Sequence, residues 1–227
     1  NNPGTYLYNC VLTFSSGGCN SITSDTITIT IEPDPEITST LQLQNICEGG
    51  IINPDFDVTV TGGVGTPSYT WYDNNGVTLA PGNTYNPGII NIDGTYQYQV
   101  IVNYTGNGCD ADSSNLYQIN VVDDPTADTI LSNQTVCQQP ISSATTLEVL
   151  NTTGGINNSY TYIWYDNNND TVGIGSTYTP PTDSIGTFQY YCVITNSPAN
   201  TGCEYQTNTH TITVNPAPTV NLSLIHI

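Results

Sequence analysis

The chain has 227 residues, of which 37% are hydrophobic and 8% are charged. It contains 19 Asp and Glu but no Lys or Arg, and the resulting net charge of −19 excludes nucleic acid as a partner because phosphate binding needs cationic side chains. It contains no run of about 18 apolar residues, so we expect no membrane insertion by this segment.

The polar residues are mainly Asn, Thr, Ser, Gly and Tyr, a composition that favours strands and turns over helices. Seven Cys occur with only two His and without a Cys-x-x-Cys pair. This usage indicates disulfides rather than zinc, and therefore an extracellular or cell-surface location. We expect no cofactor, and calcium is the ionic partner that the negative charge leaves open.

One hairpin pattern occurs three times along the chain. Its copies begin with GTYLY at 4–8, GTYQY at 94–98 and GTFQY at 186–190, about 90 residues apart. A Gly-Cys pair and an alternating segment follow each copy, most clearly at 26–31. Alternation with a period of two predicts β-strands.

A second pattern places a single tryptophan in each complete repeat, Trp71 in one and Trp164 in the other. About seven short strands in about 90 residues predict an immunoglobulin-like sandwich of two sheets, with this tryptophan in the core on strand C. The Gly-Thr-aromatic start of strand F resembles a tyrosine corner and adds Tyr96 and Phe188 to the predicted core, although Phe188 has no hydroxyl. The fold class is therefore all-β, with tandem sandwiches joined by short Pro-containing and acidic linkers.

The repeats divide the chain into four predicted segments. Residues 1–33 form the last hairpin of a truncated repeat, 34–124 and 125–216 are complete repeats, and 217–227 begin a further one. Residues 222–227 match the translation of a sequencing-library adapter, and an adapter origin is the hypothesis for them.

Repeat 34–124 contains two cysteines, Cys47 and Cys109. A disulfide within this repeat would join them, and by equivalence Cys137 would pair with Cys203. Such a bond would close a loop of about 60 residues and contribute roughly 4 kcal/mol in the chain-entropy model.

The remaining cysteines leave alternatives open. Cys192 lies where the preceding repeat has Val100, which favours a buried thiol. The alternative is a hairpin bond from Cys192 to Cys203. Cys10 and Cys19 belong to the partial repeat, whose third cysteine we expect outside the chain.

Two Asx-rich loops follow the tryptophan strands. They offer oxygen atoms at alternate positions, as calcium loops do; the candidate ligands are Asp73, Asp166, Asn168 and Asp170. Hairpin turns prefer the same residue types for their positive φ angles, and a turn without metal is the favoured interpretation.

Tyr72 and Tyr165 follow the core tryptophans and should point outward, so they are the candidate contacts for a glycan. His210 lies in an alternating strand, and no motif marks a nucleophile beside it. We therefore expect no catalytic residues and no enzyme.

Several short motifs occur in the order seen in one repeat family: Cys137-Gln138, Thr153-Gly154-Gly155, Trp164-Tyr165, Tyr190-Tyr191-Cys192-Val193 and Gly202-Cys203. In these motifs the chain resembles the immunoglobulin-like (PKD-like) tandem repeats of Bacteroidota cell-surface and secreted adhesin-type proteins. The resemblance implies O-glycosylation at an Asp-Ser/Thr-aliphatic signal, which matches at Thr26, Thr129, Thr171 and Ser184.

The sequence thus predicts a non-catalytic extracellular module with a structural and adhesive role, a stalk or spacer of a large protein. The alternative is a glycan-binding module attached to a polysaccharide-processing enzyme. The expected partners are neighbouring repeats of the same chain, and glycans or cell-surface proteins.

Overall fold

The computed structural model describes residues 2–18, 20–39, 43–105, 108–130, 133–139, 144–196 and 201–219. Every helix or strand element in these residues is a strand, which confirms the all-β prediction. Cys19 and the adapter-like segment 222–227 lie outside the described residues.

The first eleven strands are β1 (Gly4–Tyr8), β2 (Val11–Leu12), β3 (Ile22–Thr23), β4 (Ile27–Ile31), β5 (Glu36–Thr38), β6 (Leu43–Cys47), β7 (Phe56–Asp57), β8 (Thr59–Thr61), β9 (Pro67–Asp73), β10 (Thr78–Pro81) and β11 (Thr84–Tyr85). The next twelve are β12 (Gly94–Tyr104), β13 (Asp112–Ser113), β14 (Tyr117–Val122), β15 (Thr126–Ile130), β16 (Gln134–Cys137), β17 (Leu147–Thr153), β18 (Tyr160–Asp166), β19 (Thr171–Ile174), β20 (Thr177–Tyr178), β21 (Gly186–Asn196), β22 (Glu204–Gln206) and β23 (His210–Asn215).

The chain divides into two compact units. Unit 1 comprises Asn1–Leu43, Pro54–Asn86 and Tyr96–Gln118, and unit 2 comprises Gln44–Asn53, Pro87–Thr95 and Ile119–Ile227. The units are defined by packing and not by sequence repetition. They therefore do not test the predicted segment boundaries, which stay a prediction.

One sheet has the strand order β10-β9-β12-β14-β6, with β13 beside β12. In unit 1, β9 and β12 run antiparallel, so that Val100 lies opposite Trp71 and Gln99 lies opposite Tyr72. Trp71 is fully buried and packs against Phe56, with the ring centroids 6.2 Å apart. Its indole nitrogen donates to the carbonyl oxygen of Gly82 at 2.9 Å.

Unit 2 repeats this arrangement. Its larger sheet has the order β16-β23-β21-β18-β19, with β22 beside β21, and β15, β17 and β20 form a second sheet. Trp164 on β18 is fully buried and donates to the carbonyl oxygen of Gly175 at 2.9 Å. The core around it includes Leu147, Ile194 and Ile212, while Phe188 is half-buried against its edge.

The hairpin of β1 and β4 has an apolar face that is open to solvent. Tyr8 is 55% exposed and Ile29 is 48% exposed. The residues at the same positions of the third copy of this hairpin, Tyr190 and Ile212, are 4% and 0% exposed. The hairpin thus has the residue pattern of a sandwich core, although the described residues do not cover this face.

Candidate functional site

The carboxylate of Asp73 organises the loop between β9 and β10. Its Oδ1 accepts hydrogen bonds from the backbone N–H groups of Asn75 at 2.9 Å and Val77 at 2.8 Å. The bond from Val77 and then the bonds from Asn75 hold the pKa of Asp73 below its usual range. Gly76 supplies the positive φ angle, 78°, that the turn requires.

Asp166 makes the same turn in unit 2. Its Oδ1 accepts from the N–H groups of Asn168 at 2.8 Å and Asp170 at 3.0 Å, and the bond from Asp170 is the main cause of its lowered pKa. Asn169 replaces the glycine at the left-handed position, with φ 63°. These hydrogen bonds account for both loops as hairpin turns, the favoured interpretation, and calcium binding there stays the alternative hypothesis.

An acidic group in unit 2 was not predicted from the sequence. Glu48, Asp93 and Asp123 each place a carboxylate oxygen within 4.8 Å of the other two. Burial first, and then the charges of Glu48 and Asp123, raise the pKa of the neighbouring Asp124. The group brings like charges together from three separate loops, and sequence spacing carries no signal of this.

The disulfide differs from the predicted pairing. Cys47 bonds Cys203 across a sequence separation of 156, and Cys109 and Cys137 keep their thiols. The prediction was wrong because it assumed that each repeat closes on itself. In the structure, the N–H of Cys47 donates to the carbonyl oxygen of Thr201 at 2.8 Å, which brings the loop at 201–203 beside the end of β6.

Cys10 and Cys192 are also thiols, and their environments are opposite. Cys10 is exposed, whereas Cys192 is fully buried in the core of unit 2. Burial raises the pKa of the Cys192 thiol to about 12. The structure therefore places Cys192 as an unreactive core residue and not in the alternative bond to Cys203.

The two candidate glycan residues lie in different surroundings. Tyr165 stacks on Tyr191, with the ring centroids 5.5 Å apart, and the hydroxyl of Tyr191 donates to Asn169 at 2.7 Å. Tyr72 has Gln99 at the equivalent place across the strand, and a groove of about 540 Å³ opens beside its ring. Tyr72 thus borders this groove, and Tyr165 is not among its lining residues.

The predicted glycosylation positions lie on the surface to different degrees. Thr26, Thr171 and Ser184 are exposed, while Thr129 is half-buried on β15.

His210 is 4% exposed at the start of β23, opposite Tyr190. A buried imidazole of this kind has no access to a substrate. Within the described residues, no helix has the length and apolar character that a membrane crossing requires.

The sheet order, the buried tryptophan on the strand beside the central one and the strand F hairpin occur together in both six-stranded sheets. The fold is immunoglobulin-like. No protein family model and no curated protein matches the chain.

Several solved structures align with this chain at low sequence identity. The three N-terminal domains of the outer capsid protein Hoc of bacteriophage RB49 align with a TM-score of 0.54 and 13% identity, over 86% of this chain and 75% of that chain. The fibronectin(III)-like modules of Clostridium thermocellum CbhA align with a TM-score of 0.42 and 11% identity, over 84% and 100%. Extracellular domains 3–5 of Drosophila OTK align with a TM-score of 0.43 and 13% identity, over 92% and 70%.

Proposed function

We propose that the chain is a non-catalytic structural and adhesive module, a stalk or spacer of a large surface or secreted protein. The observation that carries this proposal is the disulfide between Cys47 and Cys203. This bond joins the two sequence repeats, whereas in a simple tandem array one short linker would be their connection. A stable disulfide also supports an oxidising, extracellular environment.

Close backbone packing supports the disulfide at the same place. A Cβ on Gly50 would lie 2.2 Å from the carbonyl oxygen of Thr201, and a Cβ on Gly202 would lie 2.5 Å from the Cα of Gly50. Only glycine fits at such distances. The covalent bond and the tight packing of the two loops together resist separation of the repeats under tension.

The alternative function, a glycan-binding module attached to a polysaccharide-processing enzyme, differs in what the chain contacts. A spacer contacts mainly the neighbouring repeats of its own chain. Glycans or cell-surface proteins are its other partners in the adhesive form of the proposal. The groove beside Tyr72 is the observation that favours the alternative, and it does not conflict with a load-bearing role.

Single-molecule pulling from the two termini tests the load-bearing role. In the oxidised protein the residues between Cys47 and Cys203 cannot extend, since the cysteine Cα atoms stay 4.9 Å apart. Reduction or Cys203→Ser releases these 156 positions, a length of roughly 550 Å at about 3.5 Å per residue.

We expect this additional length only in the reduced or substituted protein, and an unchanged extension in the control Cys192→Val. Equal extension with and without reductant would refute the proposal, because the repeats would then separate freely under load.

A further inference from the structure

The groove beside Tyr72 lies on the outer face of the sheet in unit 1. Its volume of about 540 Å³ falls within the range of about 300–1,000 Å³ that small-molecule sites occupy. Tyr72 on β9 and Gln99 on β12 are direct cross-strand neighbours. Gln97 lies two positions earlier on β12 and therefore on the same face of the strand. Asp73, Asn74 and Leu116 also line the groove.

This lining combines one aromatic ring with fixed amide groups. Gln99 donates its Nε2–H to the carbonyl oxygen of Ser114 at 2.8 Å, which orients the amide and turns its Oε1 away from that carbonyl. No described residue donates to this Oε1. Gln97 is held in the same way by Gln118, at 3.1 Å. Such acceptors suit hydroxyl donors, and their positions are set before any ligand arrives.

The apolar part of the groove lies beside the amides. Tyr72 is partly exposed, and Leu116 is 47% exposed. A pyranose ring presents the matching chemistry, an apolar C–H face for stacking on an aromatic ring and a rim of hydroxyls for the amides. A peptide in extended form would instead need a free strand edge, and Tyr72 lies on β9, between β10 and β12.

The charge of the chain restricts which sugars fit. Without Lys or Arg, no cation pairs with a uronate, sulfate or sialate group, and the carboxylate of Asp73 lines the same groove. Acidic glycans are therefore repelled.

Unit 2 shows what closes such a groove. There the position of Gln99 is taken by Tyr191, whose ring stacks on Tyr165 at 5.5 Å and covers its face. At the position that faces this tyrosine across the sheet, unit 1 thus has Gln99 where unit 2 has Tyr191.

We infer that the groove of Tyr72, Gln97 and Gln99 binds a neutral glycan through ring stacking and amide hydrogen bonds. This activity does not depend on the role of the chain as a spacer.

The test is a titration followed by backbone amide NMR shifts in the oxidised 227-residue protein. The probes are cellohexaose, xylohexaose, mannohexaose, laminarihexaose and hexa-N-acetylchitohexaose, with oligogalacturonate as the acidic control. We expect at least one neutral probe to shift the amides of Tyr72, Gln97 and Gln99, and the acidic control to leave them unshifted.

Two variants remove the site by different means. Tyr72→Ala deletes the stacking ring, and Gln99→Tyr fills the groove as Tyr191 does in unit 2 without removing a core contact. We expect each to weaken binding at least about tenfold. The matched control Tyr165→Ala should leave binding unchanged, since Tyr165 does not border the open groove.

Four results would overturn the inference: no shift with any neutral probe, unchanged binding in Gln99→Tyr, equal binding of oligogalacturonate, or shifts that depend on Tyr165 and not on Tyr72.

Discussion

Loss of the bond between Cys47 and Cys203 should lower the stability of the protein substantially. The bond closes a loop with a sequence separation of 156, for which the chain-entropy relation gives about 5 kcal/mol as the stabilisation from restricting the unfolded chain. For a protein of this size, about 2–4 °C per kcal/mol converts this to a fall in Tm of about 10–20 °C. Cys203→Ser should show this fall in thermal unfolding followed by circular dichroism.

The controls distinguish this pairing from the one that the sequence predicted. Cys109→Ser and Cys137→Ser should each leave Tm nearly unchanged, because these thiols take no part in the bond. If the sequence pairing were correct, Cys109→Ser would instead lower Tm as far as Cys47→Ser. Peptide mapping with proteases that cleave at acidic residues identifies the bonded pair directly. A linked peptide that contains Cys47 and Cys109 would refute the reasoning.

Four further outcomes are expected. Trp164→Phe removes the indole bond to the backbone and buried volume, and should lower the free energy of unfolding in urea by about 2 kcal/mol. Burial raises the pKa of Tyr190 from 10.0 to about 12. The contribution of this shift to the free energy of unfolding is therefore complete below pH 10 and is lost as the pH rises through about 12. A series of unfolding experiments at alkaline pH measures this loss. Gly50→Ala places a Cβ 2.2 Å from a carbonyl oxygen and should lower Tm more than Gly76→Ala, whose Cβ meets no atom within 4 Å and whose cost is the strain of the positive φ angle, 78°, alone. Asp124→Asn removes a carboxylate whose pKa burial and neighbouring charges raise, and it should increase Tm at neutral pH, with the gain shrinking as the pH falls through that raised pKa.

The architecture could be predicted because it depends on local patterns. Strands of period two, an isolated tryptophan such as Trp164 and turn residues after it are sufficient to indicate an immunoglobulin-like sandwich. The Asp73 loop was also predictable as a turn, since the side chain bonds to backbone groups only two and four residues away.

The disulfide and the groove could not be predicted in this way. The partner of Cys47 depends on which loop packs beside β6, and equivalence between repeats carries no information about contacts from one repeat to the next. The groove depends on which side chain faces the tyrosine across the sheet, Gln99 in unit 1 and Tyr191 in unit 2. The sequence marked Tyr72 and Tyr165 alike, because it showed which residues face outward but not which neighbour covers them.

The open apolar face of the β1–β4 hairpin has a consequence for the colloidal behaviour of the protein. Tyr8 and Ile29 expose surface that would attract the same surface on a second molecule. A net charge of −19 opposes that approach at low ionic strength. Added salt shortens the range of the repulsion to about 8 Å at physiological concentration and leaves the apolar attraction intact. Self-association through this hairpin should therefore increase with salt, contrary to the behaviour of complexes held by opposite charges.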